Sequence, residues 1–289
     1  MKPVGKFFFR PELPEVETIV RTLAPHVLNA RIEAVNLLHP KSVHPLSLPL
    51  ESLTGSAICG ARRRGKLVLL DLEPAKPGSD SGDVLVIHLR MTGSLLPREH
   101  KAAPGKHTRC VFTLKDNPGN YQDLFFDDIR TFGKILLANK SILEAWPFWN
   151  ELGPEPLEMS AEDLKPRLRG NRQLKAALLD QKTIAGIGNI YADEALFQSR
   201  LHPCRKAGSL DAGDCERLLA AIQDVLLRSI AQCGSSIRDY KDADGNAGAF
   251  QNSFKVYGKG GEACPACGAA LQKSRVGGRA TVFCGACQK

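Results

Sequence analysis

The sequence predicts an α+β protein of more than one domain: β-rich over its first half, helical over much of its second, and closed by a cysteine-rich module. Three observations carry this. Short alternating or β-branched runs separated by Gly, Pro, Asp and Asn clusters fill the stretch from about Arg31 to Asn139, the pattern of an antiparallel sandwich or barrel. Beyond it the apolar spacing lengthens to the three and four residues of helices. Four of the nine cysteines are clustered near the C-terminal end.

The first element is a helix, since Val16, Ile19, Val20 and Leu23 recur at i, i+3, i+4 and i+7. Pro25 is expected to end or bend it. The strand-like runs are Lys66–Leu72, Val84–Leu89, Arg109–Leu114, Asp123–Phe126 and Lys134–Ala138, with surface loops over Ala75–Gly82 and Asp116–Asn120. Leu152–Leu157, with two prolines and a glycine, leads into the helical half. There Ser160 to Asp163 has the form of an N-terminal cap, and Leu218, Ile222, Val225, Leu226 and Ile230 form a stripe closed by Gly234. That stripe reads as core.

The 289 residues carry a formal charge of +8 and no apolar stretch near the length of a spanning helix. A membrane protein is not expected. Met1–Arg10 holds only Phe7–Phe9 as an apolar run, so no export signal is read and a reducing setting is expected. The positive balance favours a polyanionic partner, because neutralised phosphates release counterions. It is concentrated at the end, where Lys255, Lys259, Lys273, Arg275, Arg279 and Lys289 face only Glu262.

Cys59, Cys110, Cys204, Cys215 and Cys233 have no ligand-like spacing and read as small buried thiols. Cys264-Pro-Ala-Cys267 and Cys284-Gly-Ala-Cys287, sixteen residues apart, fit two zinc knuckles. Four thiolates leave no open position, so one structural Zn2+ is expected; disulfides are the alternative, disfavoured in a reducing compartment. Leu271–Arg275 and Arg279–Phe283 would then form a basic hairpin. A second nucleic-acid signal is Ala185-Gly-Ile-Gly-Asn-Ile-Tyr191 between two helices. Gly186 and Gly188 permit close backbone approach, and Asn189 is a candidate N-cap of a helix whose N-terminus favours phosphate.

Pro11-Glu-Leu-Pro-Glu-Val-Glu17, Ala185-Gly-Ile-Gly-Asn-Ile-Tyr-Ala-Asp-Glu194 and the four-cysteine module together resemble the formamidopyrimidine-DNA glycosylase family over Pro11 to Lys289. The resemblance implies a β-sandwich opening with a helix, a helix-two-turn-helix domain and a zinc finger, with DNA between the halves. Expected boundaries are an N-terminal extension over 1–10, a catalytic β-sandwich domain over 11–140, a linker over 141–151, the helix-two-turn-helix domain over 152–253 and the finger over 254–289. Leu13, where the related endonuclease VIII branch usually has glycine, favours the purine-directed branch. The implied activity is excision of oxidised purines (8-oxoguanine and formamidopyrimidines) from double-stranded DNA, followed by β,δ-elimination at the abasic site. A cytoplasmic, nucleoid-associated monomer is expected.

By the same resemblance Pro11 is the nucleophile at the sugar C1', Glu12 the acid, and Glu15 the residue that orients nucleophile and water. Lys66 serves proton transfer in β-elimination and Arg279 the second elimination. Met91, Arg130 and Phe132 fill the gap left by the flipped nucleotide. His107, Arg130 and Asn189 match DNA-contact positions, Lys175 is expected to join Asn189 at a phosphate, and Arg169-Gly-Asn-Arg172 stands where the family often has a lysine-rich run. The mechanism needs a secondary amine, yet ten residues precede Pro11 and its nitrogen is then an amide. Three readings stay open. The first is a glycosylase and lyase active once Pro11 is exposed. The second is a non-enzymatic or lyase-deficient damaged-DNA-binding protein, or a glycosylase using a lysine such as Lys66. The third is a zinc-ribbon regulator, which leaves the N-terminal acidic motif unexplained.

Overall fold

The computed structural model describes residues 11–73, 82–237 and 240–289; most of the expected loop Ala75–Gly82 lies outside them. The chain divides into two units. Of the described residues, the first comprises Pro11 and those within Glu15–Asn150 and Ser235–Gly248; the second comprises Glu12–Pro14, Glu151–Gly234 and Ala249–Lys289.

From Glu15 on, α1 (Leu13–Val27) belongs to the first unit, where it buries the predicted face of Val16, Ile19, Val20 and Leu23. Pro25 does not end this helix, which runs on two residues to Val27. A proline so close to the last turn removes only one of the final backbone hydrogen bonds. Among the described residues eight strands follow: β1 (Arg31–Leu37), β2 (Ala57–Arg64), β3 (Leu67–Glu73), β4 (Val84–His88), β5 (Gly93–Glu99), β6 (Thr108–Lys115), β7 (Tyr121–Asp128) and β8 (Lys134–Ala138). Their spatial order is β5-β7-β6-β1-β2-β3-β4-β8, and the named pairings are antiparallel. β1 and β2 share one register pair, Arg31 with Ala57. At that thin seam the sheet separates into two halves over one core. Leu95, Phe112 and Phe126 from one half meet Leu70, Leu85 and Ile135 from the other in the same buried cluster as α1. Asp116 closes the β6–β7 turn as expected, accepting the N–H groups of Gly119 (2.8 Å) and Asn120 (2.7 Å).

The stretch expected as a linker contains α2 (Lys140–Ala145) and α3 (Pro147–Asn150). Trp146, Phe148 and Trp149 lie against Leu67, Leu69, Val86 and Leu136 on the other face of the sheet. An aromatic-rich segment has apolar area to bury, so the sheet recruits it.

The second unit holds α4 (Ala161–Leu164), α5 (Leu174–Leu179), α6 (Asn189–Gln198), α7 (Ala212–Ala231), and a hairpin of β9 (Gln272–Val276) and β10 (Arg279–Phe283). Ser160 and Asp163 form the expected capping box. The α7 stripe is buried, and its end is closed by Gly234, at φ +78° with its N–H on Ser229 O at 2.8 Å. No helix among the described residues is long and apolar enough to cross a membrane. Of the scattered cysteines only Cys110 and Cys215 are buried; Cys59 and Cys233 are exposed and Cys204 is intermediate. Cys59 sits at an outward position of β2, and Cys233 sits in the left-handed turn after α7 at φ 58°.

Candidate active site and zinc centre

In the second unit, the glycine turn receives the chain's own N-terminal segment. Gly186 is at φ +81°, and a Cβ there would lie 2.7 Å from Leu13 Cβ. Leu13 N–H donates to Gly186 O at 3.0 Å. Gly188 is the N-cap of α6, and Glu12 fills the space a side chain would take there. Ile190 N–H donates to Glu12 Oε1 at 3.1 Å, with Tyr191 N–H 3.5 Å from Oε2. Glu12 is 3% exposed. The helix N-terminus expected to attract an anion thus holds a carboxylate of this chain, which satisfies donors that otherwise lack a partner. Asn189 is the first helical residue rather than the cap, and its Nδ2 donates to Ala280 O at 3.1 Å.

Lys175, expected at a phosphate, is turned inward in this structure. It is fully buried at 0% exposure, and its ammonium is 2.6 Å from Asp193 Oδ1, 2.8 Å from Thr281 Oγ1 and 3.0 Å from Ala280 O. All three N–H donors are thereby used. The sequence shows a lysine on a helix near a glycine turn, but not the acid one helix away that takes it. Burial pushes Asp193 up to about 7 and pushes Lys175 down, while each partner's charge opposes that shift. Asp193 Oδ2 also accepts Val282 N–H at 3.2 Å. The neighbouring Glu194 accepts three successive N–H groups, from Lys255 (2.8 Å), Val256 (2.9 Å) and Tyr257 (2.8 Å). Two adjacent acids on an otherwise apolar, buried helix are therefore what fasten the finger to α6. They lie within a motif the sequence reading singled out, and the available signal was that buried acids are rare unless paired.

The finger itself fits a zinc ion. The Sγ atoms of Cys264, Cys267, Cys284 and Cys287 all lie within 4.8 Å of one another, with Cys264–Cys287 at 3.9 Å and Cys267–Cys284 at 3.5 Å. A tetrahedron with Zn–S of about 2.3 Å has edges of about 3.8 Å, so the four thiolates enclose the right volume. The β9–β10 turn is Gly277-Gly278, at φ +56° and +74°, the twin left-handed pair of a two-residue hairpin. Arg279 follows it, exposed, beside the Ala280 carbonyl that both Lys175 and Asn189 grip.

In the first unit, Pro11 and Glu15 are buried. Glu15 accepts Ser235 N–H at 2.8 Å, and its carbonyl accepts Tyr240 O–H at 3.2 Å. Lys66 is half-buried in the β2–β3 turn after Gly65, at φ +56°. The preceding basic run is partly neutralised: Arg62 pairs with Asp71 at 2.8 Å and Arg63 with Glu17 at 2.9 Å. Three predicted residues from two separate loops converge. Arg130 Nη1 is 3.4 Å from Met91 Sδ, and its guanidinium stacks 4.6 Å from the Phe132 ring centroid. Phe132 is 47% exposed, a large apolar side chain left in water. His107 is half-buried, one residue before β6. Asp128, which the sequence reading passed over, lies at the centre of this group.

A β-sandwich unit and a helical unit ending in a four-cysteine finger define a zinc-finger protein of two-unit α+β architecture. Residues 10–135 match the formamidopyrimidine-DNA glycosylase N-terminal domain, 152–241 the corresponding H2TH domain, and 261–289 the zinc finger found in FPG and IleRS. The formamidopyrimidine-DNA glycosylase of Thermomicrobium roseum is 44% identical, covering 96% of this chain and 99% of that protein. That of Carboxydothermus hydrogenoformans is 43% identical, covering 96% and 100%. Among solved structures, the Lactococcus lactis Fpg bound to DNA containing an abasic site is 33% identical with a TM-score of 0.83, covering 96% of this chain and 99% of that one. The FPG protein of Thermus thermophilus is 38% identical with a TM-score of 0.82, covering 96% and 98%. The chain belongs to the formamidopyrimidine-DNA glycosylase family.

Proposed function

We propose that this protein is a base-excision repair glycosylase that removes oxidised purines from double-stranded DNA and cleaves the resulting abasic site. The observation that carries the reading is the convergence of Met91, Arg130 and Phe132 on one rim of the sandwich, in a chain whose relatives include DNA-bound enzymes of this name. A stacked base hides its glycosidic carbon, so the nucleotide must leave the helix, and an apolar wedge offsets part of the unstacking cost of a few kcal/mol.

The chemistry then needs a nucleophile, an acid and proton carriers. In this proposal the Pro11 nitrogen attacks C1' as the base departs, and the carboxyl of Glu12 supplies the proton to the sugar ring or leaving group. The ring opens to an iminium. Loss of the C2' proton expels the 3' phosphate with Lys66 carrying the proton, and Arg279 serves the second elimination. Glu15 orients the nucleophile through the segment it anchors. His107, Arg130 and Asn189 contact DNA. A tertiary amide cannot take this part, so the lyase step requires that Pro11 carry a secondary amine. Zinc, when bound, supplies folding free energy to the finger and no reactive position.

We further assign the units of function to 11–140, 152–253 and 254–289, with 1–10 as an extension and 141–151 as a helical connection, and place the protein in the cytoplasm on the nucleoid. Incubation of a chain beginning at Pro11 with an 8-oxoguanine duplex tests the reading: strand cleavage with borohydride-trappable adduct is expected. An intact duplex after prolonged incubation would overturn it.

A further inference from the structure

We propose that Asp128 is a positioning residue that locks the two wedge loops into one rigid tip; the inference rests on the reading of Met91, Arg130 and Phe132 as that wedge. Asp128 ends β7 and is 1% exposed. Its Oδ1 accepts Arg130 N–H at 3.1 Å and the Thr92 hydroxyl, and its Oδ2 accepts Gly133 N–H at 2.7 Å. Thr92 Oγ1 in turn lies 3.2 Å from Arg130 N. The main chain extends the same hub. Asp128 N–H donates to His107 O at 2.9 Å, and Asp128 O accepts Arg109 Nε at 2.7 Å.

One buried carboxylate therefore joins the loop bearing Met91 to the loop bearing Arg130 and Phe132, and its backbone fixes the residue before β6. The loops need such a fastening. Arg90 and Thr131 both sit at φ 57°, a left-handed conformation that a non-glycine residue holds only when its surroundings impose it. Gly133 completes the fit, because a Cβ there would lie 2.6 Å from Phe126 Cζ and 3.1 Å from Asp128 Oδ2. Only a bare backbone brings its N–H to the carboxylate.

An asparagine at position 128 keeps the shape but turns an NH2 group toward one of the donors, donor against donor. The test reads insertion rather than chemistry. The full-length protein is bound to a duplex with a tetrahydrofuran abasic analogue opposite 2-aminopurine, whose fluorescence rises when it unstacks. Asp128→Asn is expected to cut the rise about fivefold, as Met91→Ala does, while affinity for undamaged duplex stays within about twofold. The double variant should be no worse than Met91→Ala alone, since the two act as one unit. Thr92→Val, which removes one donor and leaves the charge, should move the signal the same way and serves if the asparagine variant does not fold. A full rise in Asp128→Asn or Thr92→Val, with Met91→Ala defective, would overturn the positioning role alone. A full rise in Met91→Ala would overturn the wedge reading and this inference with it.

Discussion

Glu12 and Gly188 fit one another by exclusion: a Cβ on Gly188 would lie 2.7 Å from Glu12 Cγ, so the carboxylate reaches the first turn of α6 only because residue 188 has no side chain. Segment and helix are held together by this fit as well as by the hydrogen bond from Ile190 N–H. The glycine-rich turn, which in sequence looks like a phosphate cradle, is in the fold a socket for the proposed catalytic acid.

Gly188→Ala should therefore displace Glu12 and lower base excision about a hundredfold, the low end of what a positioned acid contributes. Single-turnover excision from an 8-oxoguanine duplex by a chain beginning at Pro11 measures this. Elimination at a pre-formed abasic site should fall much less, because the aldehyde is already available. Equal losses in both assays would argue for general misfolding.

Lys175→Met leaves Asp193 buried without its cation and should cost about 3–5 kcal/mol at neutral pH. The pH dependence has a definite sign. Burial raises the folded-state value of Asp193 above its ordinary 3.8, to about 7 even with Lys175 beside it, and loss of the cation raises it further. A raised carboxyl contributes stability that is complete below about pH 4 and is lost as pH climbs through the folded value. Thermal unfolding should therefore show a larger Tm deficit for Lys175→Met at pH 8 than at pH 5. Equal deficits would mean that Asp193 is not the group left stranded.

Removal of the metal, or Cys267→Ser, should unfold the finger and abolish duplex binding while the sandwich unit stays folded. The zinc content per chain and a binding titration before and after chelation provide the check; full affinity in metal-free protein would refute the structural assignment. In the intact protein, affinity for duplex should fall about a hundredfold between 50 and 200 mM salt if about four phosphates are neutralised.

Borohydride should trap little covalent adduct from a chain that retains residues 1–10, and should trap efficiently from one beginning at Pro11, because only the latter leaves the Pro11 nitrogen a secondary amine able to form an iminium. An exposed α-amino group titrates at about 7.7–8.0, so part of it is unprotonated near neutral pH. Strong trapping by the longer chain with Lys66→Ala still active would assign the nucleophile to another amine.

Much was readable from local pattern alone. The α1 face, the α7 stripe with its glycine stop, the capping box at Ser160 and the cysteine spacing each depend on residues a few positions apart, and each appears in the fold. What local pattern did not show was long-range: the pairing of Lys175 with Asp193, and the two helices that the connecting segment forms where the sheet offers Trp146 a face to cover.

The sequence by itself determined the α+β class, the order of its parts and the identity of the four zinc ligands, because periodicity, turn chemistry and ligand spacing are properties of neighbours in the chain. Only the tertiary structure decided which charged groups face water and which are consumed internally. Glu12 at the start of α6, Lys175 on Asp193, and Asp128 on Thr92, Arg130 and Gly133 join residues between 2 and 178 positions apart. Burial and the demand that every buried donor and acceptor be paired settle such matters, and both are properties of the packed chain.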